Sequence, residues 1–391
     1  MSIDIKMLDN EPAGAVIKVV GIGGAGGNAV AHMIRRNVKG VEFICCNTDA
    51  QALVDTKAPV QIQLGKTGLG AGAKPEQGRA AAESAREEIR AALQGANMVF
   101  LTAGMGGGTG TGAAPVVAQI AKELGILTVG VVTKPFAFEG PKRMQVAEEG
   151  VRELSQHVHS LIVVLNEKLQ DVLDEDATFE DCFKMADDVL HNACAGIAEI
   201  INVKGNINVD FQDLTTIMSE PGQAMMGTAV ASGEDRARIA AQEAIACPLL
   251  EGVDLHGARG VLVNITASRS LKRREVNTIM EIIESYRAED ATVVFGQAYD
   301  DSMGDALRVT VVATGLGRHN RAKPQLVVPS QVLRTGTDDA PMAGAAGRVN
   351  YQDYDTPAVF RNRDASRRVQ AMESAGMDHL DIPAFLRRQA D

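Results

Sequence analysis

No apolar run in the 391 residues reaches the roughly eighteen needed to cross a bilayer. The opening MSIDIKMLDNEP is polar where a secretory leader would be apolar. The expectation is therefore a cytoplasmic chain without direct membrane insertion, whose membrane role, if it has one, passes through a partner. Basic charge is in deficit, with 39 Lys and Arg against 50 Asp and Glu and a net charge of −11, which argues against nucleic acid as a partner. The five cysteines, Cys45, Cys46, Cys182, Cys194 and Cys247, never stand at C-x-x-C spacing. They read as reduced core thiols rather than a disulfide framework. The histidines are scattered with no H-E-x-x-H, so no zinc site is assigned. A P-loop is also missing: Gly65-Lys-Thr67 supplies its end, but Val60 stands where its first glycine belongs.

What is present is glycine, grouped. With 45% hydrophobic residues the chain can bury two domain cores. An apolar run at residues 98–101 flows into Gly106-Gly-Gly-Thr-Gly-Thr-Gly112, and a helical pattern follows over residues 113–124. Glycines let backbone N–H groups close on an anion, and the following helix adds free N–H groups and the positive end of its dipole. Thr109 and Thr111 add hydroxyl donors.

A second cradle lies earlier. The strand-like residues 16–20 run into Gly21-Ile-Gly-Gly-Ala-Gly-Gly-Asn28, a helix at 29–37 and a strand at 41–46. This βαβ order predicts a parallel sheet. Taken alone, Gly21, Gly23 and Gly26 satisfy G-x-G-x-x-G with Asp49 at a ribose-binding distance in sequence, so an NAD-dependent oxidoreductase is one reading. Two cradles leaving one sheet suit a nucleoside triphosphate better than a dinucleotide. A third glycine segment, residues 68–73, precedes a helix expected over 75–93, and further strands are expected at 126–132 and 161–165.

From Phe179, apolar residues recur at three- and four-residue steps through Ile201, predicting one helix of about 35 Å. On spacing alone Phe183 reads as core and Asp187 as a solvated face. Beyond it, Asn208-Val-Asp-Phe-Gln-Asp213 sets two carboxylates three apart on a loop, able to hold a cation or orient a water. Residues up to about 317 read as a second α/β domain, with a helix at 237–246 and strands at 260–265, 291–295 and 307–313. Periodicity then fails, and residues 318–377 read as a flexible linker spanning about 40–45 Å. The last residues restore an apolar edge at Ile382, Phe385 and Leu386, with Pro383 suited to a first helical turn, as in a docking peptide.

In this order, the motifs resemble the tubulin/FtsZ family, whose bacterial members are division GTPases. The resemblance covers residues 15–317 and returns at 378–391. It implies an α/β fold with a parallel-sheet GTP-binding domain (15–178) after a flexible arm (1–14). A long central helix (179–204), a second smaller α/β domain (205–317), a disordered linker and a C-terminal docking peptide (378–391) would follow. GTP or GDP would be held by Gly23, Gly24, Ala25, Gly26, Gly27 and Asn28, by Ala71, Gly72 and Ala73, and by Gly106, Gly107, Gly108, Thr109, Gly110, Thr111 and Gly112. Thr133, Glu139, Arg143 and Asn166 would line the sugar and phosphates. Phe183 would stack on the base and Asp187 would accept from guanine N–H groups. Asp210 and Asp213, with Asn208, would act on the nucleotide of the neighbouring subunit, so that hydrolysis accompanies head-to-tail filament formation at midcell. The triphosphate implies Mg²⁺, and the catalytic loop leaves room for a monovalent cation, with no dedicated protein cage for either. Asp381, Ile382, Pro383, Phe385 and Leu386 would bind membrane-tethering and regulatory division proteins. Binding of nucleotide without hydrolysis, as glue in a structural polymer, is a further reading.

Overall fold

The apolar runs of the first half form β1 (Ile17–Ile22), β2 (Val41–Asn47), β3 (Val60–Gln63), β4 (Met98–Gly104), β5 (Leu127–Lys134) and β6 (Ser160–Leu165) in the computed structural model. The structure describes residues 15–170, 177–202, 209–220, 222–246 and 257–316. The arm, the linker, the docking peptide, Asn208 and Cys247 lie outside these residues. Strands β1 and β5 are buried at every residue and β4 at all but Gly104. That is why they read as unbroken apolar runs instead of alternating ones. All six pair in parallel in the order β3-β2-β1-β4-β5-β6. The direction of winding reverses between β1 and β4, and a crevice opens at such a reversal beyond the carboxyl ends of the strands.

Connecting helices are α1 (Gly23–Arg35), α2 (Ala50–Asp55), α3 (Pro75–Ser84), α4 (Arg86–Leu93), α5 (Thr109–Glu123), α6 (Pro141–Leu154), α7 (Asn166–Gln170) and α8 (Phe179–Asn202). Four of them correct the sequence reading. Helices α1 and α5 begin inside their glycine runs, six and four residues earlier than expected, because packing against the sheet outweighs the poor helix propensity of glycine. The single helix expected over 75–93 is two, broken at Ala85, whose backbone (φ −102°, ψ 16°) leaves the helical region.

The second half adds α9 (Phe211–Met218), β7 (Gln223–Ser232), α10 (Arg236–Ile245), β8 (Ala258–Ala267), α11 (Arg273–Glu284), β9 (Arg287–Tyr299) and β10 (Ala306–Leu316). Strand β10 pairs antiparallel with both β7 and β8, while β8 pairs parallel with β9. This mixed sheet continues the first through a short parallel join, Leu161 with Gln223 and Ile162 with Ala224. Strand β7 and helices α9 and α11 escaped the sequence reading, and Asp213, expected on a loop, lies in the first turn of α9, which Asp210 caps. β7 carries glycine and alanine and is half open at its end, so it shows neither a buried run nor clean alternation.

Helix α8 unites the two halves. Leu190, Cys194 and Ile197 share one apolar cluster with Val129 and Val131 of β5 and with Leu262 and Val312 of β8 and β10. Arg308 of β10 pairs with Glu199 of α8. A second cluster fills the opposite face of the parallel strands under α4 and α5, and a third lies under α10 and α11. Cys45, Cys46, Cys182 and Cys194 are buried free thiols. The first turn of α8 departs from the expected stripe: Phe179 and Phe183 are 67% and 48% exposed.

Candidate functional site

A cavity of about 280 Å³ occupies the crevice where the winding reverses. Ile22, Gly104 and Thr133, at the carboxyl ends of β1, β4 and β5, form part of its wall. Both α1 and α5 start here. Neither N-cap residue, Ile22 or Gly108, makes a side-chain capping bond. The free N–H groups and positive dipole ends of two helices therefore converge on one cavity, which is the arrangement an oligophosphate needs.

The glycines divide into two sets by what a Cβ would meet. At Gly26 it would lie 2.3 Å from the Thr102 carbonyl oxygen, at Gly110 2.5 Å from that of Gly104, and at Gly112 1.9 Å from that of Pro75. These three let helices press against strand or helix backbone. Gly24 and Gly107 have nothing within 4 Å and face the cavity, so their missing Cβ leaves room for a ligand. Gly106 turns the chain at φ +96°. Its N–H donates to Thr111 Oγ1 at 2.9 Å, so this hydroxyl braces the loop. The Thr109 hydroxyl meets that of Thr48 at 2.6 Å.

Of the residues anticipated for the nucleotide, Gly24, Ala25, Asn28, Gly107, Gly108, Thr109, Gly110, Thr133, Glu139, Arg143, Asn166, Phe183 and Asp187 line the cavity. Gly23, Gly26, Gly27, Gly106, Thr111 and Gly112 stand behind this lining. Ala71, Gly72 and Ala73 also fall outside it, although Ala71 lies against Gly108. Ile22, Met105, Gly104, Pro135, Ala186 and Leu190 line it without having been anticipated. Ala186 and Leu190 follow Phe183 and Asp187 at three-residue steps, a spacing that could have found them.

The polar wall is uneven. Glu139 Oε1 accepts the Phe136 N–H at 2.9 Å and Oε2 pairs with Arg143 at 3.1 Å. Asn166, 5% exposed, leaves its Oδ1 without a partner among the described residues. Asp187 carries no hydrogen bond or salt bridge among the described residues. Burial pushes its carboxyl up to about 6; His32 and Arg35 oppose that and Asp188 adds to it. Phe183 meets Phe136 edge-on at 5.4 Å and turns into the cavity.

Asp49, the acid on which the dinucleotide reading leaned, caps α2. Its Oδ1 accepts the N–H groups of Gln51 at 2.9 Å and Ala52 at 3.2 Å, and it is not part of the cavity wall. Asp210 caps α9, accepting the Asp213 N–H at 2.7 Å. Both carboxylates are exposed. They follow the far end of α8, whose axis from Asp187 to Asn202 runs about 22 Å. No residue of α9 lines the cavity.

Residues 16–174 match the GTPase domain of the tubulin/FtsZ family, and residues 222–317 match the C-terminal domain of the FtsZ family. The chain is 55% identical to the cell division protein FtsZ of Azotobacter vinelandii, over 99% of this chain and 100% of that one. It is 54% identical to that of Pseudomonas aeruginosa, with the same coverage. Among solved structures it resembles an empty FtsZ dimer from M. jannaschii, with a TM-score of 0.73 and 42% identity over 78% of this chain and 88% of that one. CetZ2 from Haloferax volcanii, solved as a GTPγS-bound protofilament, shares the fold at a TM-score of 0.65 and 20% identity over 78% of this chain and 95% of that one. With its GTPase and C-terminal domains in family order, and a relative matched from end to end, the chain belongs to the FtsZ family of tubulin-like cell-division GTPases.

Proposed function

We propose that this GTPase polymerises head to tail and hydrolyses GTP at the junction between subunits. The observation that carries the reading is a separation. The helix-end cradles and the base-facing residues meet in one cavity, whereas Asp210 and Asp213 stand beyond the opposite end of α8. One chain cannot bring both to one phosphate, but a second chain stacked on the first can. A contact of this kind does not close on itself and generates a filament.

In this reading the N-terminal domain (15–178) carries the phosphates on α1 and α5. Glu139 accepts from ribose hydroxyls, Arg143 reaches a phosphate, Phe183 stacks on guanine and Asp187 accepts its ring N–H and amino group. Adenine lacks that donor pair. Mg²⁺ would take phosphate oxygens and water and offset the charge of the triphosphate. Asp210 and Asp213 of the next subunit, with Asn208, orient the attacking water. Its oxygen bonds to the γ-phosphorus, the β–γ bridging bond breaks, and GDP and phosphate leave. Positioning and electrostatics supply most of the acceleration. A monovalent cation near the catalytic loop, the domain boundaries, and the tail at Asp381, Ile382, Pro383, Phe385 and Leu386 as a tether to membrane-anchored division proteins complete the proposal. Action at the midcell division site follows from that tether.

The test is GTP turnover per subunit against protein concentration, with light scattering recorded alongside. A threshold above which both signals rise together supports the shared site. A specific rate independent of concentration means that each chain carries a complete site, and Asp210 and Asp213 lose their assigned role.

A further inference from the structure

Helix α8 turns two consecutive carboxylates, Asp187 and Asp188, toward α1, which answers with His32, Arg35 and, at its C-cap, Arg36. Successive helical residues point about 100° apart, and the two acids have different fates. Asp188 Oδ1 sits 2.8 Å from His32 Nε2 and 2.6 Å from Arg36. Asp187 has no such partner and faces both the cavity at the sheet ends and an adjoining one of about 300 Å³ that also holds Arg35 and Lys184.

We infer that Asp188 is a specificity-positioning residue: by engaging His32 and Arg36 it keeps both cations off Asp187 and leaves that carboxylate open to the nucleotide base. The inference rests on the reading that Asp187 receives guanine. His32 is largely buried, with 12% of its side chain exposed, so its ring nitrogen must find a protein acceptor. His191 stands edge-on to it with ring centroids 6.0 Å apart and pairs with Asn192 at 3.1 Å, so it does not take the place of the Asp188 carboxylate. Without Asp188 the acid left facing α1 from this turn is Asp187. His32 or Arg36 would then pair with it, through the same charge-assisted bonding that now serves Asp188. A guanine would have to displace that pair to gain two N–H bonds of its own. An acid that looks redundant beside the base-reading acid therefore protects it.

The experiment measures GTP and ITP binding by the full chain at concentrations below assembly, for the native protein, Asp188→Asn, Asp188→Ala and the triple variant Asp188→Ala/His32→Ala/Arg36→Ala. Inosine lacks the 2-amino donor, so the GTP-to-ITP affinity ratio reports access to Asp187. Asp188→Ala should shrink that ratio by on the order of tenfold, the scale set by the net worth of one hydrogen bond. Asp188→Asn, which keeps an acceptor for His32, should shrink it less and serves if the alanine variant fails to fold. The triple variant, with neither His32 nor Arg36 left to misplace and with Arg35 and Lys184 where the native protein has them, should recover the native ratio. A ratio unchanged in Asp188→Ala, or one lost there and not recovered in the triple variant, makes Asp188 a plain tie between helices and overturns the inference. A native protein that does not separate GTP from ITP instead removes the base-reading role of Asp187, and this inference falls with it.

Discussion

The backbone N–H of Gly106 donates to the hydroxyl of Thr111 at 2.9 Å, tying together the glycine loop at residues 106–112 from inside the protein. Thr111 is 3% exposed, so no water replaces it. Thr111→Val should cost about 1–3 kcal/mol by leaving a buried donor unpaired, and Thr111→Ser should restore most of that. Thermal unfolding of the nucleotide-free protein checks both.

The two glycine sets should separate on mutation. Gly107→Ala meets nothing within 4 Å, so stability should change by less than about 0.5 kcal/mol while GTP affinity falls. Gly112→Ala drives a Cβ to 1.9 Å from the Pro75 carbonyl oxygen. It forces α3 and α5 apart at about 3 kcal/mol or more. Parallel melting and nucleotide titrations decide it. Equal behaviour of the two variants would sink the division.

Asp187 carries a pH signature. Burial raises its carboxyl from 3.8 to about 6. Between those values the folded chain holds a proton that the unfolded chain has released, so stability falls as pH rises from about 4 to about 6 and the penalty is constant above. Asp187→Asn should remove this slope. At pH 7.5, without nucleotide, it should stabilise the chain by on the order of 1–2 kcal/mol, allowing for partial exposure. GTP binding should run the other way. It needs the ionised acceptor, so native affinity should drop below pH 6, and the variant should bind weakly at every pH. Denaturant melts and GTP titrations across pH 4–8 check both signs.

Asp210 and Asp213 can be told apart. Asp213→Ala should leave GTP affinity near native and lower turnover by about 10²-fold or more, as for loss of one electrostatic stabiliser. Asp210→Asn keeps an oxygen for the Asp213 N–H, and with it the α9 cap, while removing the charge. Turnover should fall with little loss of stability. Asp210→Ala should lose the cap as well, about 1 kcal/mol. If Asp213→Ala weakened GTP binding and turnover equally, Asp213 would belong to its own chain's cavity.

Much of this was legible in the chain. Strands β1, β4 and β5 are buried on both faces, and a strand buried on both faces is apolar at nearly every position. Helix α8 keeps one packed stripe, so Leu190, Ala193 and Ile197 repeat at its period. The two glycine runs between strand and helix, local in sequence, located the cradles. What the sequence could not show is what each glycine is for. Gly107 and Gly112 look alike in a motif, and only the approach of the Pro75 carbonyl from another helix makes one a packing residue. Nor could spacing separate Asp187 from Asp188, or reveal that Asp49 caps a helix instead of waiting for a ribose. Each of those roles depends on partners far away in sequence or on a local backbone turn set by the fold. Composition and periodicity record how much of a side chain is buried. They do not record what it is buried against, and that, set by how α1, α5 and α8 cross the sheet, decided the site.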